Sequence, residues 1–287
     1  MTSKEREIAT VSLKALLFFI LYFLFSPIGT QARTIKVLAI GNSFSQDAVE
    51  QYLYELAAAQ GDSLVIGNAY IGGCSIDRHY DNLQTGKTDY AYRKVVGGVR
   101  SEHKNSDLLS IIRDEQWDVI SLQQASPLSG IPTSYKNLAQ FKRLVQSYTT
   151  NLHVEFVWHM TWAYAQDFQS DNFKAYNNDQ RTMYTAIVST MQNVLPAVGL
   201  KRIIPSGTAI QLGRYAMGDI LNRDGYHLSL TLGRYIAACT WCEFLTERIV
   251  DGNAYHPDTI TDEEAMLCQQ VAHEACFMQQ CNRYVIF

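Results

Sequence analysis

The sequence has few charged residues and no block of one sign. Of its 287 residues, 18% are Asp, Glu, Lys or Arg, with 24 basic against 28 acidic side chains and no Lys/Arg run longer than two. Without a basic patch, the chain lacks the electrostatic footprint of a nucleic-acid-binding protein. Because 47% of the residues are hydrophobic, the composition also excludes a disordered chain. We therefore expect a globular protein with no DNA or RNA partner.

The hydrophobic run near the N-terminus is too short for a membrane span. Ala15 to Phe25 is an unbroken apolar stretch, and at about 1.5 Å per residue it cannot cross a hydrocarbon core of about 30 Å. Basic residues precede it, and Pro27 and Gly29 follow it before Ala32. This layout predicts a signal peptide over residues 1–32, and hence an exported protein (periplasmic, extracellular or cell-surface) with no membrane partner after cleavage. The alternative is an uncleaved membrane anchor.

The cysteines lack the spacing of a metal site. They lie at positions 74, 239, 242, 268, 276 and 281. Cys239 and Cys242 form a CxxC pair, but a zinc site needs a second such pair and a redox motif needs a strand just before it. We therefore expect no metal site. In an oxidising compartment the cysteines are either helix-packing residues or a local disulfide, and their pairing stays open.

Segments typical of strands and helices alternate along the chain, with no repeat and no Pro/Ser-rich linker after residue 32. The predicted strands are 35–40, 63–70, 118–122, 153–158 and one opening at 203, and the predicted helices are 49–59, 108–115, 135–148, 180–194, 231–250 and one beginning at 261. Thr261 and Glu264 can form a capping box. The alternation predicts one domain over residues 33–287, a three-layer α/β/α sandwich with a five-stranded parallel sheet and a helical extension from about residue 255. Ligand sites in such sheets lie at the carboxyl ends of the strands.

Serine and glycine residues follow the first two predicted strands. Asn42 and Ser43 come after the first strand. A serine on a strand-to-helix turn exposes its hydroxyl near backbone N–H groups, which suits a nucleophile whose attack creates an oxyanion. Gly72 and Gly73 come after the second strand, where a glycine backbone can approach a ligand closely. Each feature has a simpler alternative, because Asn and Ser are preferred helix caps and glycine is an ordinary turn residue.

Paired amides and an Asp-x-x-His sequence follow later strands. Gln123 and Gln124 end the third strand, where a buried amide needs hydrogen-bond partners and one of the two could donate to an oxyanion. Asp224 and His227 precede the helix predicted at 231–250. There the carboxylate can hold Nδ1 of the imidazole, which leaves the other nitrogen free to take a proton from a serine. The alternatives are loop-supporting amides and a capping aspartate beside a surface histidine.

Taken in this order, the four blocks resemble the SGNH (GDSL-like) hydrolase superfamily. Gly41-Asn42-Ser43 is similar to its first block, with Asn where Asp is common, Gly72-Gly73 to its second, and Asp224-Gly225-Tyr226-His227 to its last. The third block departs, since Gln123-Gln124 stands in place of Gly-x-Asn. The resemblance implies a flavodoxin-like fold and esterase chemistry without a metal or organic cofactor. Stretches such as IGNSFSQDA and RDGYHLS are similar to a bacterial secreted subfamily that is mostly described as a domain of unknown function.

The resemblance also implies a role for each residue. Ser43 is the nucleophile, His227 the general base and Asp224 the residue that orients the imidazole. The oxyanion is held by the backbone N–H of Ser43, by the N–H of Gly72 or Gly73, and by the side chain of Gln123 or Gln124.

Further side chains at the strand ends are candidates for substrate binding. They are Asn42, His159, Trp162 and Tyr164, with Thr208 and Gln211 after the fifth strand as additional ones. The two aromatic side chains have polar edges that suit stacking on a sugar, although Trp and Tyr are also common core residues. A lone histidine in such a segment is also commonly a hydrogen-bonded core residue.

The expected function is that of an exported serine esterase acting on an acylated small molecule or polysaccharide, above all on O-acetylated carbohydrate. A lipase or thioesterase acting on longer acyl esters is the enzymatic alternative, because the motifs carry no information on acyl length. A catalytically weak carbohydrate-binding module at the cell surface is the alternative from another class. The oligomeric state stays open.

Overall fold

A computed structural model describes residues 33–284, and the predicted signal peptide lies outside the described residues. A single sheet forms the centre of the described domain. Its strands are β1 (Thr34–Gly41), β2 (Ser63–Tyr70), β3 (Tyr90–Val96), β4 (Val99–Ser106), β5 (Val119–Leu122), β6 (Glu155–His159) and β7 (Ile203–Ile204).

The sheet is mixed and has seven strands in the order β4-β3-β2-β1-β5-β6-β7. The prediction of a purely parallel five-stranded sheet is therefore wrong. β2, β1, β5, β6 and β7 run parallel, while β3 and β4 are an antiparallel hairpin added at one edge. The hairpin was not predicted from the sequence, because β4 is exposed along nearly its whole length and so has no apolar alternation. The Gly97-Gly98 pair in its turn is the sequence signal that could have revealed it. Both glycines adopt positive φ, as this type of two-residue hairpin loop requires.

The parallel strands alone follow the order 2-1-3-4-5, one of the two common orders of doubly wound sheets. β1 lies between β2 and β5, with Gly41 opposite Tyr70 and Ile40 opposite Leu122. The loop that leaves β1 at Gly41 therefore has the loop after Tyr70 on one side and the loop after Leu122 on the other. This arrangement brings three separate sequence blocks to one edge of the sheet.

Ten α-helices and three short 3₁₀ helices lie in the described part of the chain. The α-helices are α1 (Ser43–Val49), α2 (Leu53–Ala59), α3 (Ile76–Thr85), α4 (Leu108–Arg113), α5 (Leu138–Tyr148), α6 (Asp171–Lys174), α7 (Gln180–Val194), α8 (Ser206–Met217), α9 (Leu232–Thr246) and α10 (Asp262–Gln280). The group α1, α2, α8, α9 and α10 packs together, and so does the group α3, α4 and α5. Two helical groups around one sheet give the α/β architecture that the sequence predicted. The helix predicted over 49–59 begins only at Leu53, as α2. The preceding helix, α1, ends at Val49, and Tyr52 adopts φ 70° between the two.

The last helix belongs to the core. α10 begins with the predicted capping box between Thr261 and Glu264, and it packs against α8 and α9. Its small side chains face inward, with Ala265, Ala272 and Ala275 buried. The cysteines of residues 33–284 are all unpaired thiols, and five of the six are buried. Within residues 33–284, no helix combines the length and apolar character needed to span a membrane.

Candidate active site

A cavity of about 610 Å³ opens at the carboxyl ends of the parallel strands. It is lined by residues from the loops after β1, β2, β5 and β6 and from the loop before α9. These residues are Asn42, Ser43, Tyr70, Gly72, Gly73, Ser126, Pro127, Tyr164, Phe168, Ser170, Asn172, Tyr226 and His227. The position is the one expected for a ligand site in an open α/β sheet.

Ser43 is the first residue of α1, and the side chain of Asn42 caps that helix. Asn42 Oδ1 accepts hydrogen bonds from the backbone N–H of Phe44 (3.0 Å) and from Gln123 Nε2 (2.9 Å), and Asn42 Nδ2 donates to the carbonyl of Cys74 (3.0 Å). Asn42 is buried, and these bonds hold the turn in place. The structure thus presents Ser43 to the cavity on a braced turn, while Asn42, predicted to bind substrate, has its polar atoms engaged by protein partners.

Asp224 and His227 form a hydrogen-bonded pair, and His227 lines the cavity. His227 Nδ1 lies 2.7 Å from Asp224 Oδ2, and the backbone N–H of His227 donates to Asp224 Oδ1 at 2.8 Å. Burial raises the pKa of Asp224, but the hydrogen bonds from His227 and from the backbone N–H of Tyr226 outweigh it, and the pKa lies below its usual value. The carboxylate therefore stays ionised and holds the ring through Nδ1. No residue within 33–284 bonds to Nε2 of His227, which is left for a ligand or for Ser43.

The backbone of Gly72 and Gly73 offers hydrogen-bond donors at the same cavity. Both residues line it, and Gly73 adopts φ 61°. None of the described residues accepts a hydrogen bond from either N–H group. A positive φ on the second glycine turns successive N–H groups toward one region, a geometry suited to binding an anion. These two N–H groups can therefore meet a developing oxyanion.

The two glutamines predicted as oxyanion donors do not line the cavity. Gln124 donates from Nε2 only to the carbonyl and the hydroxyl of Ser134, at 2.9 and 3.1 Å. Gln123 donates to Asn42 Oδ1 and accepts from the ring of His159 at 2.8 Å. Both are buried. The prediction for Gln124 is contradicted, since both bonds of its amide nitrogen go to Ser134, and Gln123 braces Asn42 instead of facing a substrate.

Two of the predicted substrate-binding residues belong to the core. His159 is buried between Gln123 and Ser206, whose Oγ lies 3.1 Å from Nε2. Burial lowers the pKa of His159 to about 3, so the ring is neutral. Trp162 is fully buried, stacks on Phe44 with ring centroids 4.1 Å apart, and donates from Nε1 to the carbonyl of Tyr226 at 2.7 Å. These side chains support the loops around the cavity and do not line it.

Three further candidates have different outcomes. Tyr164 lines the cavity, with its hydroxyl 2.9 Å from Ser126 Oγ, and its binding to a substrate stays a prediction. Thr208 and Gln211 are buried away from it, with Thr208 bonded to the hydroxyl of Tyr184 and Gln211 to Gln180.

An aromatic part of the lining was not predicted from the sequence. Tyr70 ends β2, Tyr226 lies inside the Asp-x-x-His block, and Phe168 comes from the segment after β6. The ring of Phe168 packs on Gly225, where an added Cβ would come within 2.2 Å of it, and Gly225 adopts φ 86°. Only glycine fits this position, so Gly225 is a signal that another chain segment packs on this block.

The role of the Asp47 carboxylate was not predicted from the sequence either. This side chain lies on α1, one turn after Ser43, and is fully buried. Its oxygens accept the backbone N–H of Leu228 at 2.8 Å and form ion pairs with Arg223 (3.1 Å) and Arg234 (2.6 Å). Because Leu228 follows His227 directly, Asp47 ties the helix of Ser43 to the loop of His227.

Other parts of residues 33–284 show no comparable arrangement. A cavity of about 570 Å³ lies beside the ends of α9 and α10, and several of its charged side chains pair with protein partners, such as Arg202 with Glu155 and His273 with Glu243. No group of three or more His, Cys, Asp or Glu in the described chain could hold a metal ion. The cavity at the strand ends is therefore the candidate active site.

Comparison with known proteins places the chain in a family. The model of the family described as a domain of unknown function (DUF4886) matches residues 36–275. The crystal structure of a DUF4886 family protein from Bacteroides uniformis is 49% identical, with a TM-score of 0.83, and the match covers 85% of this chain and 95% of that one. No curated protein matches this chain.

Two similar structures are far more distant. LAE5, an α/β hydrolase enzyme from the metagenome of Lake Arreo, is 13% identical with a TM-score of 0.46, over 75% of this chain and 96% of that one. Axe2, an acetyl xylan esterase from Geobacillus stearothermophilus, is 13% identical with a TM-score of 0.45, over 74% of this chain and 94% of that one. Similarity at this level says nothing about activity. The family match and the Bacteroides uniformis structure show that the chain belongs to the DUF4886 family.

Proposed function

We propose that this protein is a serine esterase of the SGNH type that removes acetyl groups from carbohydrate. The observation that supports this most directly is the shared cavity. It brings Ser43, the N–H groups of Gly72 and Gly73, and a His227 ring held by Asp224 to one place from three separate sequence blocks.

The proposed reaction is acyl transfer through Ser43. Oγ of Ser43 forms a bond to the ester carbonyl carbon while Nε2 of His227 takes the hydroxyl proton. The C–O bond to the alcohol then breaks, and His227 returns the proton to the leaving oxygen. Water repeats both steps on the acyl-enzyme and releases the acid. Asp224 keeps the imidazole in the required tautomer, and the N–H groups of Ser43, Gly72 and Gly73 hold the oxyanion. No metal or organic cofactor is required.

The lining of the cavity favours a neutral, hydroxyl-rich substrate. Among the residues that line it, none is Asp, Glu, Lys or Arg. The aromatic residues Tyr70, Phe168 and Tyr226 line it together with the small polar residues Ser170 and Asn172. Rings suit stacking on the apolar faces of a sugar, and hydroxyl and amide groups suit its oxygens. An anionic or cationic substrate would find no opposite charge in this lining.

The proposed setting is outside the cytoplasm. A signal peptide over residues 1–32 would deliver the domain to the periplasm, the cell surface or the medium, where acetylated polysaccharides are accessible. Mass spectrometry of the protein purified from an exporting host tests this, because a chain that begins at Arg33 is the expected product.

Hydrolysis of p-nitrophenyl acetate, butyrate and octanoate by the purified protein tests the proposed function. We expect acetate to be preferred, and we expect Ser43→Ala to lower kcat by about 10³-fold or more, because removal of the nucleophile leaves only the binding and oxyanion contributions. Ser45→Ala is the matched control, since Ser45 follows two residues later but is buried, with Oγ bonded to Asn42 and Asn68.

The outcomes separate the candidate functions. Equal rates for the natural chain and Ser43→Ala would reject the nucleophile. A preference for octanoate would indicate a lipase or a thioesterase. Binding of acetylated xylan without any hydrolysis would indicate a carbohydrate-binding module.

A further inference from the structure

The candidate active site lacks the side-chain donor that was expected for its oxyanion. Gln123 and Gln124 are bonded to Asn42 and Ser134 and do not line the cavity. The remaining donors are backbone N–H groups on the Ser43 turn and on the β2 loop. A donor on the other side of Ser43 would have to come from the loops after β5 and β6.

A pair of hydroxyl groups lies on that side. Ser126 follows β5, Tyr164 follows β6, and Ser126 Oγ lies 2.9 Å from the hydroxyl of Tyr164. Both residues line the cavity, although Ser126 is only 7% and Tyr164 only 2% exposed. Two buried polar groups in the wall of a cavity are costly unless their hydrogen-bonding capacity is used.

The hydrogen-bonding capacity of the two hydroxyl groups is not used up within the described chain. Two hydroxyl groups carry two protons, and the bond between Ser126 and Tyr164 uses one of them. No other residue within 33–284 accepts a hydrogen bond from either hydroxyl. Burial raises the pKa of Tyr164 to about 12, more than its hydrogen bond with Ser126 lowers it, so the phenol keeps its proton. The pair therefore has one proton to donate, whichever of the two hydroxyls holds it.

The order of the strands places this hydroxyl pair on the opposite side of Ser43 from the loop that carries Gly72 and Gly73. β2 and β5 flank β1, and β6 lies next to β5. Ser43, at the end of β1, therefore has Gly72 and Gly73 on one side and Ser126 and Tyr164 on the other. The strand order therefore puts possible hydrogen-bond donors on both sides of Ser43.

We propose that the Ser126–Tyr164 hydroxyl pair is the side-chain oxyanion donor of this site and takes the place of an amide. It donates one hydrogen bond to the carbonyl oxygen of an acyl ester, a bond that strengthens as the oxygen becomes negative. The inference rests on the proposed esterase function and adds a catalytic group to it.

Kinetics of three variants on p-nitrophenyl acetate test the proposal. Ser126→Ala and Tyr164→Phe each leave one hydroxyl proton, whereas the double variant leaves none. We expect the double variant to lose about 10²-fold or more in kcat, the usual effect of removing one oxyanion donor, with KM within about threefold. Each single variant should lose clearly less. A double variant that keeps kcat within about threefold, or that raises KM at unchanged kcat, would overturn the proposal.

Tyr184→Phe is the matched control. It removes another buried tyrosine hydroxyl, bonded to Thr208, from a residue that does not line the cavity. We expect unchanged kcat and KM for this variant. An equal loss of kcat in Tyr184→Phe and Tyr164→Phe would show that burial, and not donation, explains the effect.

A crystal structure of the natural chain treated with a p-nitrophenyl alkylphosphonate tests the same proposal without any variant that must fold. If Ser43 carries the phosphonyl group with an oxygen within about 3 Å of Ser126 or Tyr164, the pair is the donor. If Ser43 is modified but that oxygen contacts only backbone N–H groups, the pair is not the donor and the esterase function stands. If Ser43 is not modified, both the function and the inference are rejected.

Discussion

His227 and His159 are both histidines near the candidate active site, but their hydrogen-bond partners differ in kind. His227 lines the cavity with 16% of its side chain exposed, and its Nδ1 meets the carboxylate of Asp224. His159 is fully buried, and its two ring nitrogens meet the amide of Gln123 and the hydroxyl of Ser206. A carboxylate stabilises an imidazolium, whereas a neutral amide in a dry core does not.

The comparison shows how to separate site residues from supporting residues at the end of a strand. A supporting polar residue has its donors and acceptors engaged by protein atoms, as Gln124 and His159 do. A site residue keeps at least one group free and directed at solvent space, as His227 does with Nε2. Residue type alone does not distinguish the two cases.

The largest expected effect comes from changing the partner of His227. Asp224→Asn removes the charge and permits the wrong tautomer of the ring, so we expect kcat to fall by about 10³- to 10⁴-fold. Stability should barely change, because the Asp224 side chain is 42% exposed. Asp167→Asn, at another exposed carboxylate near the cavity, is the control with unchanged kcat. A loss below about tenfold would show that Asp224 does not orient His227 for catalysis.

A smaller effect should follow from loosening the loop that carries His227. Asp47→Asn removes a fully buried charge that faces Arg223, Arg234 and the N–H of Leu228. Breaking a buried ion pair on one side costs about 3 kcal/mol, and we expect the free energy of unfolding in urea to fall by about that amount.

The kinetic effect of Asp47→Asn distinguishes positioning from plain destabilisation. Below its unfolding temperature, the variant should show a lowered kcat for p-nitrophenyl acetate with little change in KM, because the substrate contacts remain. Asp171→Asn, which breaks the exposed pair with Lys174, should change neither quantity. If Asp47→Asn loses stability but keeps its full kcat, Asp47 supports the fold and does not position His227.

The remaining prediction concerns the core histidine and its effect on stability. The pKa of His159 is about 3 in the folded protein and about 6.5 in an unfolded chain, so the unfolded state binds more protons between these values. Stability should therefore fall as the pH drops through this window, by about 1.4 kcal/mol per pH unit from this residue, and be unaffected by it above. His159→Gln cannot ionise and should show a slope shallower by that amount in urea unfolding from pH 7 to pH 4.

A second buried histidine contributes equally in both proteins, so the difference between them isolates His159. The pKa of His79 is also lowered to about 3 by burial, and His79 is unchanged in the variant. The natural chain and His159→Gln should therefore differ by the contribution of one histidine only. Identical slopes would mean that His159 is not held neutral by burial.

Much of the architecture could be read from local sequence patterns. The alternation of apolar strands and periodic helices predicts an α/β sheet, and the capping box at Thr261 marks the start of α10, because these features depend on neighbours within a few residues. The same patterns place Ser43, Gly72, Gly73 and His227 directly after strands or before a helix. The β3–β4 hairpin escaped prediction because an exposed edge strand buries little apolar surface and has no period to detect.

Tertiary structure alone decided which polar groups face the cavity. Gln123, Gln124 and Trp162 follow buried strands just as Ser43 does, yet their polar atoms bond to other segments of the chain, such as Asn42, Ser134 and the carbonyl of Tyr226. In the sequence Ser126 looks ordinary and Tyr164 is a candidate for stacking on a sugar, and only the adjacency of β5 and β6 joins the two hydroxyls into a pair with a proton to spare. Local patterns determine where a residue lies along an element. Whether its hydrogen bonds are already satisfied depends on contacts between distant segments, which no local pattern contains.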